Sequence, residues 1–302
     1  MAVLAFPDAE CRDVARAGGK GASLARLAAL GMSVPPGFVV TADMLAAALP
    51  DSGAALRGLV AERGASAAEQ AQAMVREAPI PDELRAPLAQ ALAALGDDVA
   101  VAVRSSACAE DSETASFAGQ QETYLHVRGV EHVLERLRDC WASFFSDRAL
   151  FYRAERGSLD DIEMAVVVQR MVDPDVAGVM FTVDPVSGRT DRIVIEAVLG
   201  LGEAVVSGEV TPDHYVLKPD GTVRKRQVHV QPFRVVPAAG GGTVEELLDE
   251  KLGGKPKLDD EQLRALAEIG TELHRIIGVP QDIEWALADG ELFVLQARPV
   301  TT

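Results

Sequence analysis

Arg104 stands where an alternating strand, Val99 to Val103, runs into a segment of small polar residues, and this is the chain's strongest sign of chemistry. Val99, Val101 and Val103 alternate with Ala100, Ala102 and Arg104, so the guanidinium leaves the strand's end on its small-residue face. That face can admit a ligand. The segment Ser116 to Thr123, SFAGQQET, then supplies a flexible Gly119 flanked by hydroxyls and amides. Backbone N–H groups of such a loop can be turned toward phosphate oxygens. Together they suggest a polyphosphate site, the alternative being a surface ion pair beside an ordinary polar loop.

Three further stretches carry residues of the same chemistry. Lys20 is surrounded by Gly18, Gly19 and Gly21, directly before an apolar helical pattern at Leu24, Leu27 and Leu30. A P-loop is excluded, because the positions that require Gly and a hydroxyl hold Val14 and Gly21. A lysine on a glycine turn at a helix N-terminus still suits phosphate. Gln169 interrupts the apolar run that begins at Met164, and an amide there needs a hydrogen-bond partner. The stretch Met164 to Gly188 reads as two β-branched strands joined at Asp173-Pro174, a buried hairpin. At the C-terminus Asp289-Gly290 marks a hairpin between IEWAL and ELFVLQAR. A two-residue turn would pair Glu284 with Leu295 and put Gln296 on the other face. A three-residue loop ending in a left-handed Gly, the register favoured here, gathers Glu284, Val294, Gln296 and Arg298 and leaves Ile283, Trp285, Phe293, Leu295 and Ala297 to the core. For this hairpin alone, Glu284 reads equally well as a strand carboxylate paired to Arg298.

RSSACAED with SFAGQQET, GGKGASLARLAALGMSVPPGFVVT, MAVVVQRMVDPDVAGVMFTVDPVSG and PQDIEWALADGELFVLQARPVTT together resemble the nucleotide-binding domain shared by phosphoenolpyruvate synthases, pyruvate phosphate dikinases and rifampicin phosphotransferases. This is the dikinase branch of the ATP-grasp fold. The resemblance runs from Gly18 to Thr302, more weakly between about Ala46 and Asp98. It implies an α+β ATP-grasp protein of two lobes, 1–165 and 166–302, with a nucleotide cleft between them and a helical segment, 42–95, in the first. It implies ATP and Mg²⁺ as ligands, with Lys20, Arg104 and Arg298 on the phosphates, Glu284 and Gln296 on the metal, and Gly119 and Thr123 in the phosphate loop. Gln169 and the segment around Met171 match the residues that line the adenine. Glu196 could face the ribose, an ordinary strand salt bridge being the equal alternative. Where the family usually has threonine this chain has Cys108, a poorer hydrogen-bond donor. No histidine stands near it in sequence, so a buried filler is the reading, not a nucleophile.

The elements that must position these residues follow from periodicity. Ala42 to Leu95 is alanine-rich and helical, with breaks at Pro50-Asp51, Gly64 and Pro79 to Pro81. Glu131 to Arg156 reads as one long helix with an aromatic core stripe. Arg192 to Leu199 is a strand, and the GLGEAVVSG after it lacks the third Gly of a dinucleotide fingerprint. Glycine and lysine loops at Gly240 to Gly242 and Gly253 to Lys257 read as solvated linkers, and Asp259 to Ile277 as a helix beside the final hairpin.

Composition bounds the rest. The chain has 302 residues, 48% hydrophobic and 25% charged, with a net charge of −17. That is an ordinary globular balance, and the acidity argues against a general nucleic-acid binder. Three widely spaced cysteines, no apolar run long enough to span a membrane and no basic leader point to the cytoplasm. None of His126, His132, His214, His229 and His274 sits in the glycine- and threonine-rich setting of the family's carrier histidine. The expectation is therefore a phosphotransferase module whose carrier histidine lies on a separate domain or protein. A nucleotide sensor without catalysis, an excised domain of a rifampicin phosphotransferase-like enzyme and a ligase making ADP are the alternatives.

Overall fold

The computed structural model describes residues 1–49, 52–108, 122–156 and 162–300, with the backbone alone at 52 and 152–156. The chain divides into two compact units, one of 1–30 with 36–171 and one of 31–35 with 172 onward. The described residues are mixed helix and antiparallel sheet, the α+β class expected.

In the first unit the elements are β1 (Val3–Ala5), α1 (Val14–Ala29), β2 (Gly37–Val40), α2 (Asp43–Ala47), α3 (Ser52–Arg63), α4 (Ala68–Glu77), α5 (Asp82–Leu95), β3 (Val101–Ala107), β4 (Thr123–Val127), α6 (Val130–Ser143), α7 (Asp147–Arg156) and β5 (Met164–Arg170). The strands form one sheet in the order β1-β2-β5-β3-β4. Its Phe38, Val40, Val101, Val103, Val166 and Val168 side chains join the buried apolar residues of α2 to α6 in a single core. Burying one strand face this way drives the helical segment onto the sheet. On the opposite face lies α1, whose Gly21 approaches the side chains of Val39 and Val167. The long helix expected from Glu131 is two helices, since Phe144 and Phe145 turn into the core between them.

The second unit holds β6 (Val176–Phe181), β7 (Ile193–Leu199), α8 (Glu203–Val206), β8 (Asp213–Leu217), β9 (Val223–Gln227), β10 (Phe233–Pro237), β11 (Thr243–Leu247), α9 (Glu250–Gly253), α10 (Asp260–Ile277), β12 (Gln281–Ala288) and β13 (Glu291–Pro299). Its main sheet runs β13-β12-β6-β7-β8-β9, every neighbouring pair antiparallel. Asp259 caps α10, accepting from the N–H groups of Glu261 and Gln262, while Gln262 accepts from the Asp259 N–H. This capping box fixes where the helix starts. Gly270 of α10 then packs against Met180 of β6, so one face of the sheet is covered and the other carries the polar residues.

Several expectations are corrected. The division after residue 165 falls inside β5, all seven residues of which pair with β3 in the first sheet. The strands on either side of Asp173-Pro174 are not a hairpin, because β5 belongs to the first sheet and β6 to the second. Both are largely apolar, Gln169 and Arg170 standing only at the end of β5, so composition gave little reason to separate them. Residues 31–35 join the second unit through Ser33, which accepts from the Val294 N–H and donates to the Glu291 carboxylate. Gly240 to Gly242 is the turn of the β10–β11 hairpin, where the Gly242 carbonyl accepts from the Ala238 N–H.

Lys257, expected in a solvated linker, is buried against Asp213 at 3.0 Å. Its ammonium also donates to the carbonyls of His229 and Gly253, and Asp213 accepts further from the Tyr215 hydroxyl and the N–H groups of His229 and Lys257. A buried carboxylate on β8 requires this cation, and the surrounding hydrogen bonds make the pair tolerable.

Candidate functional site

The first unit assembles its candidates around an interruption in α1. Gly18 has φ +69°, and a Cβ there would lie 2.2 Å from the Ser106 carbonyl oxygen. Only glycine fits such a close approach of helix to strand at positive φ. The Ser106 hydroxyl ties the break down, donating to the Ala17 carbonyl and accepting from the Gly21 N–H. Lys20 follows directly and is buried at 4% exposure, its ammonium donating to the Ser105 carbonyl at 2.8 Å. Arg104, 8% exposed, stands mid-strand, since Ser105 and Ser106 continue the pairing to Ala107. It lies directly across from Thr123 on β4 and Val167 on β5. Two of the three expected phosphate cations thus come from one helix break and the strand beneath it.

Gln169 is buried near the end of β5, across from Gly37 and Ala102. Met171 follows the strand, and its N–H donates to the Ala100 carbonyl, so that donor is already used. Gly119 lies outside the described residues. Cys108 holds the α1 side of the site through a thiol 3.7 Å from the Ala15 carbonyl, a weak contact where a hydroxyl would donate better. Cys11 and Cys140 are buried thiols, and burial pushes the Cys11 group up to about 12.

In the second unit register places the candidates in a line. Gln296 pairs with Glu284, Glu284 with Val179, Val179 with Glu196, and Glu196 with His214. Directly paired residues share a sheet face, and strands lie about 4.8 Å apart. Glu284 and Glu196 are therefore about 10 Å apart across Val179 on one face. His214 Nδ1 is 3.5 Å from the Glu196 carboxylate.

The final hairpin achieves this by a route other than the expected one. Its turn has two residues, with Ala288 paired to Glu291 and positive φ at both Asp289 and Gly290. That turn alone would pair Glu284 with Leu295. A bulge between Glu284 and Trp285 absorbs Leu295 and restores the partnership with Gln296. The grouping of Glu284, Gln296 and Arg298 holds, but Val294 joins buried Trp285 on the core face and Phe293 pairs with Ala286 on the other.

Arg298 donates to the Asp282 carboxylate from Nε at 2.9 Å, with its Nη2 at 2.8 Å. Asp282 lies opposite it in register and is largely buried. Burial raises the Asp282 pKa, and Arg298 only partly opposes this.

Glu284 and Gln296 supply two adjacent oxygen donors on neighbouring strands, a set that fits magnesium, which takes one or two protein oxygens and fills its octahedron with water and phosphate. The described residues hold no group of three His, Cys, Asp or Glu side chains suited to a metal, as a phosphate-bound magnesium would not require one.

Residues 14–302 match the family described as "Pyruvate phosphate dikinase, AMP/ATP-binding domain", and the chain belongs to that family. It is 43% identical to a "Probable phosphoenolpyruvate synthase" from Methanothermobacter thermautotrophicus, over 96% of this chain and 44% of that protein. It is 41% identical to a "Rifampicin phosphotransferase" from Streptomyces sviceus, over 99% of this chain and 36% of that protein. The chain thus spans less than half the length of these relatives. A D-alanine–D-alanine ligase from Bacillus anthracis complexed with ATP covers 96% of this chain and 56% of its own, at TM-score 0.34 and 9% identity, a likeness too slight to argue from.

Sequence reasoning passed over Ser106, Asp282 and His214. Ser106 was visible as the second hydroxyl after Arg104, but its tie to Gly18 is long-range. Asp282 and His214 become neighbours of Arg298 and Glu196 only through strand register, which no local pattern announces. No helix among the described residues is long and apolar enough to cross a membrane.

Proposed function

We propose that this chain is the Mg-ATP-binding module of a dikinase-type phosphotransferase with an ATP-grasp fold, passing the β-phosphate to a histidine on another domain or protein. The observation that carries the reading is the line Gln296, Glu284, Val179, Glu196 on one face of the second sheet. Along it Glu284 lies about 10 Å and Gln296 about 14 Å from Glu196, a carboxylate suited to ribose hydroxyls, and these separations are on the scale of a nucleotide.

In this reading Lys20 and Arg104 engage the same nucleotide's phosphates and spread the charge that develops there, Arg104 through a planar fork and Lys20 as a point charge. Gln169 and the Met171 segment line the base. Arg298 completes the phosphate contacts, its guanidinium held in place by Asp282. Glu284 and Gln296 would hold Mg²⁺, which would supply positive charge to offset that of the phosphates. The attacking imidazole nitrogen comes from the partner and forms its bond to the β-phosphorus as the bond to the AMP oxygen breaks; AMP leaves, the histidine carries the β- and γ-phosphates together, and water or phosphate then removes the γ-phosphate so that the β-phosphate remains. The protein's contribution is positioning and preorganised charge. The relatives' names point to different acceptors, pyruvate chemistry in one and an antibiotic in the other, so the acceptor is chosen outside this module.

The test is to supply ATP labelled at the β-phosphate, with and without a carrier-histidine protein. Label on the partner's histidine with AMP as product supports the reading. Steady ADP formation with a small-molecule acceptor and no partner would replace it by ligase or simple kinase chemistry.

A further inference from the structure

A positively charged groove in this acidic chain lies outside the residues assigned to the nucleotide. A groove of about 620 Å³ in the second unit is lined by Arg189, Arg192, Lys218, Arg224 and Lys225, with only Asp191 and Asp220 opposing them. This lining carries a net charge of +3, in a chain whose formal charge is −17. Five cations converging on one concavity cost Coulomb repulsion that folding alone does not require.

The two carboxylates are already engaged. Asp191 takes both arms of the Arg189 guanidinium, at 2.9 and 2.7 Å. Asp220 accepts from the Thr222 N–H, and this hydrogen bonding, more than the Lys218 and Arg224 charges, holds its carboxyl below the usual range. Arg192 reaches Asp184 only at 3.7 Å. Among the described residues no side-chain hydrogen bond or ion pair occupies Lys218, Arg224 or Lys225.

The groove is built on the sheet and is not a chance of loose side chains. Its floor is Val216 of β8, paired with Val194 on one side and Lys225 on the other. Lys218 follows β8 directly, fixed by its N–H to the Thr222 carbonyl and its own carbonyl to the Gly221 N–H. Val216 is two residues from His214, so the groove opens on the same sheet face as the Glu196 line, displaced toward the edge strand β9.

We propose that this groove is a second anion site that takes a small polyphosphate-bearing molecule, a pyrophosphate or triphosphate group gripped by Arg192 and Arg224 and neutralised by Lys218 and Lys225. Guanidinium forks suit paired phosphate oxygens, and several separated cations suit several phosphates better than one carboxylate. The proposal stands on this lining alone and does not rest on the nucleotide reading.

The test is site-resolved. The chain is treated with a limiting amine-acetylating reagent while inorganic tripolyphosphate is titrated, and each lysine is followed by mass spectrometry. Lys218 and Lys225 should acetylate severalfold more slowly as tripolyphosphate rises, while exposed Lys251 and Lys255 keep their rates. The Arg192→Ser/Arg224→Ser double variant should lose the protection, and so should Arg224→Glu alone, an exposed single change that keeps the experiment decisive if the double variant does not fold. In Arg104→Lys the protection should persist. The proposal is overturned if Lys218 and Lys225 are not protected, if sodium chloride at equal ionic strength protects them as well, if the variants retain protection, or if Arg104→Lys abolishes it.

Discussion

Arg298 is held by Asp282, and the pair makes one residue-scale consequence measurable. Burial raises the Asp282 pKa above its unfolded value of about 4. A raised carboxyl pKa means that the folded state holds its proton more firmly, so the group's contribution to stability is full below that unfolded value and is lost as pH rises through the folded one. Asp282→Asn should therefore flatten the stability profile in the window just above pH ~4, as followed by denaturant unfolding at a series of pH values. Parallel profiles for the two proteins would contradict this account of Asp282. Arg104 supplies the companion prediction. Arg104→Lys keeps the charge and loses the fork, and should weaken ATP binding by about 1.5–3 kcal/mol, roughly tenfold to a hundredfold, with adenosine binding far less affected. Equal losses for both ligands would place Arg104 in the base pocket or the core.

The helix break in α1 is the element on which the first unit's cations depend. Gly18→Ala would drive a Cβ against the Ser106 carbonyl at a backbone angle that L residues rarely adopt. It should cost about 2–4 kcal/mol of unfolding free energy and weaken ATP binding as Lys20 shifts. A variant with unchanged midpoint and affinity would mean the break is not needed. Elements were legible where a local device defines them. Asp259 announced the start of α10, and Asp289-Gly290 announced the final turn. The bulge at Leu295 was not legible, because a bulge is selected by the face that must be buried and by pairing on both sides. The register expected from a three-residue loop reached the right polar trio through the wrong turn and misplaced Val294 and Phe293. Lys257 was misread for the same reason, since its partner Asp213 is 44 residues away in sequence.

For the whole molecule, the α+β class and the two sets of polar candidates were readable from four short stretches. The division of the chain was not, because β5 and β6 look alike and only their pairing assigns them to different sheets. Ser33 likewise pins a short segment of the first third of the chain to the second unit, a contact between residues 258 apart in sequence. The account's central claim is that this fold gathers a magnesium–nucleotide site whose metal donors are Glu284 and Gln296. Calorimetric titration of ATP, with and without Mg²⁺, into the wild-type chain and into Glu284→Ala tests it most directly. The account predicts magnesium-dependent ATP binding in the wild type and its severe loss in Glu284→Ala, with the melting temperature of the ligand-free protein nearly unchanged because a half-buried ligand and not a packed core group is removed. Undiminished magnesium-dependent binding in Glu284→Ala would contradict it.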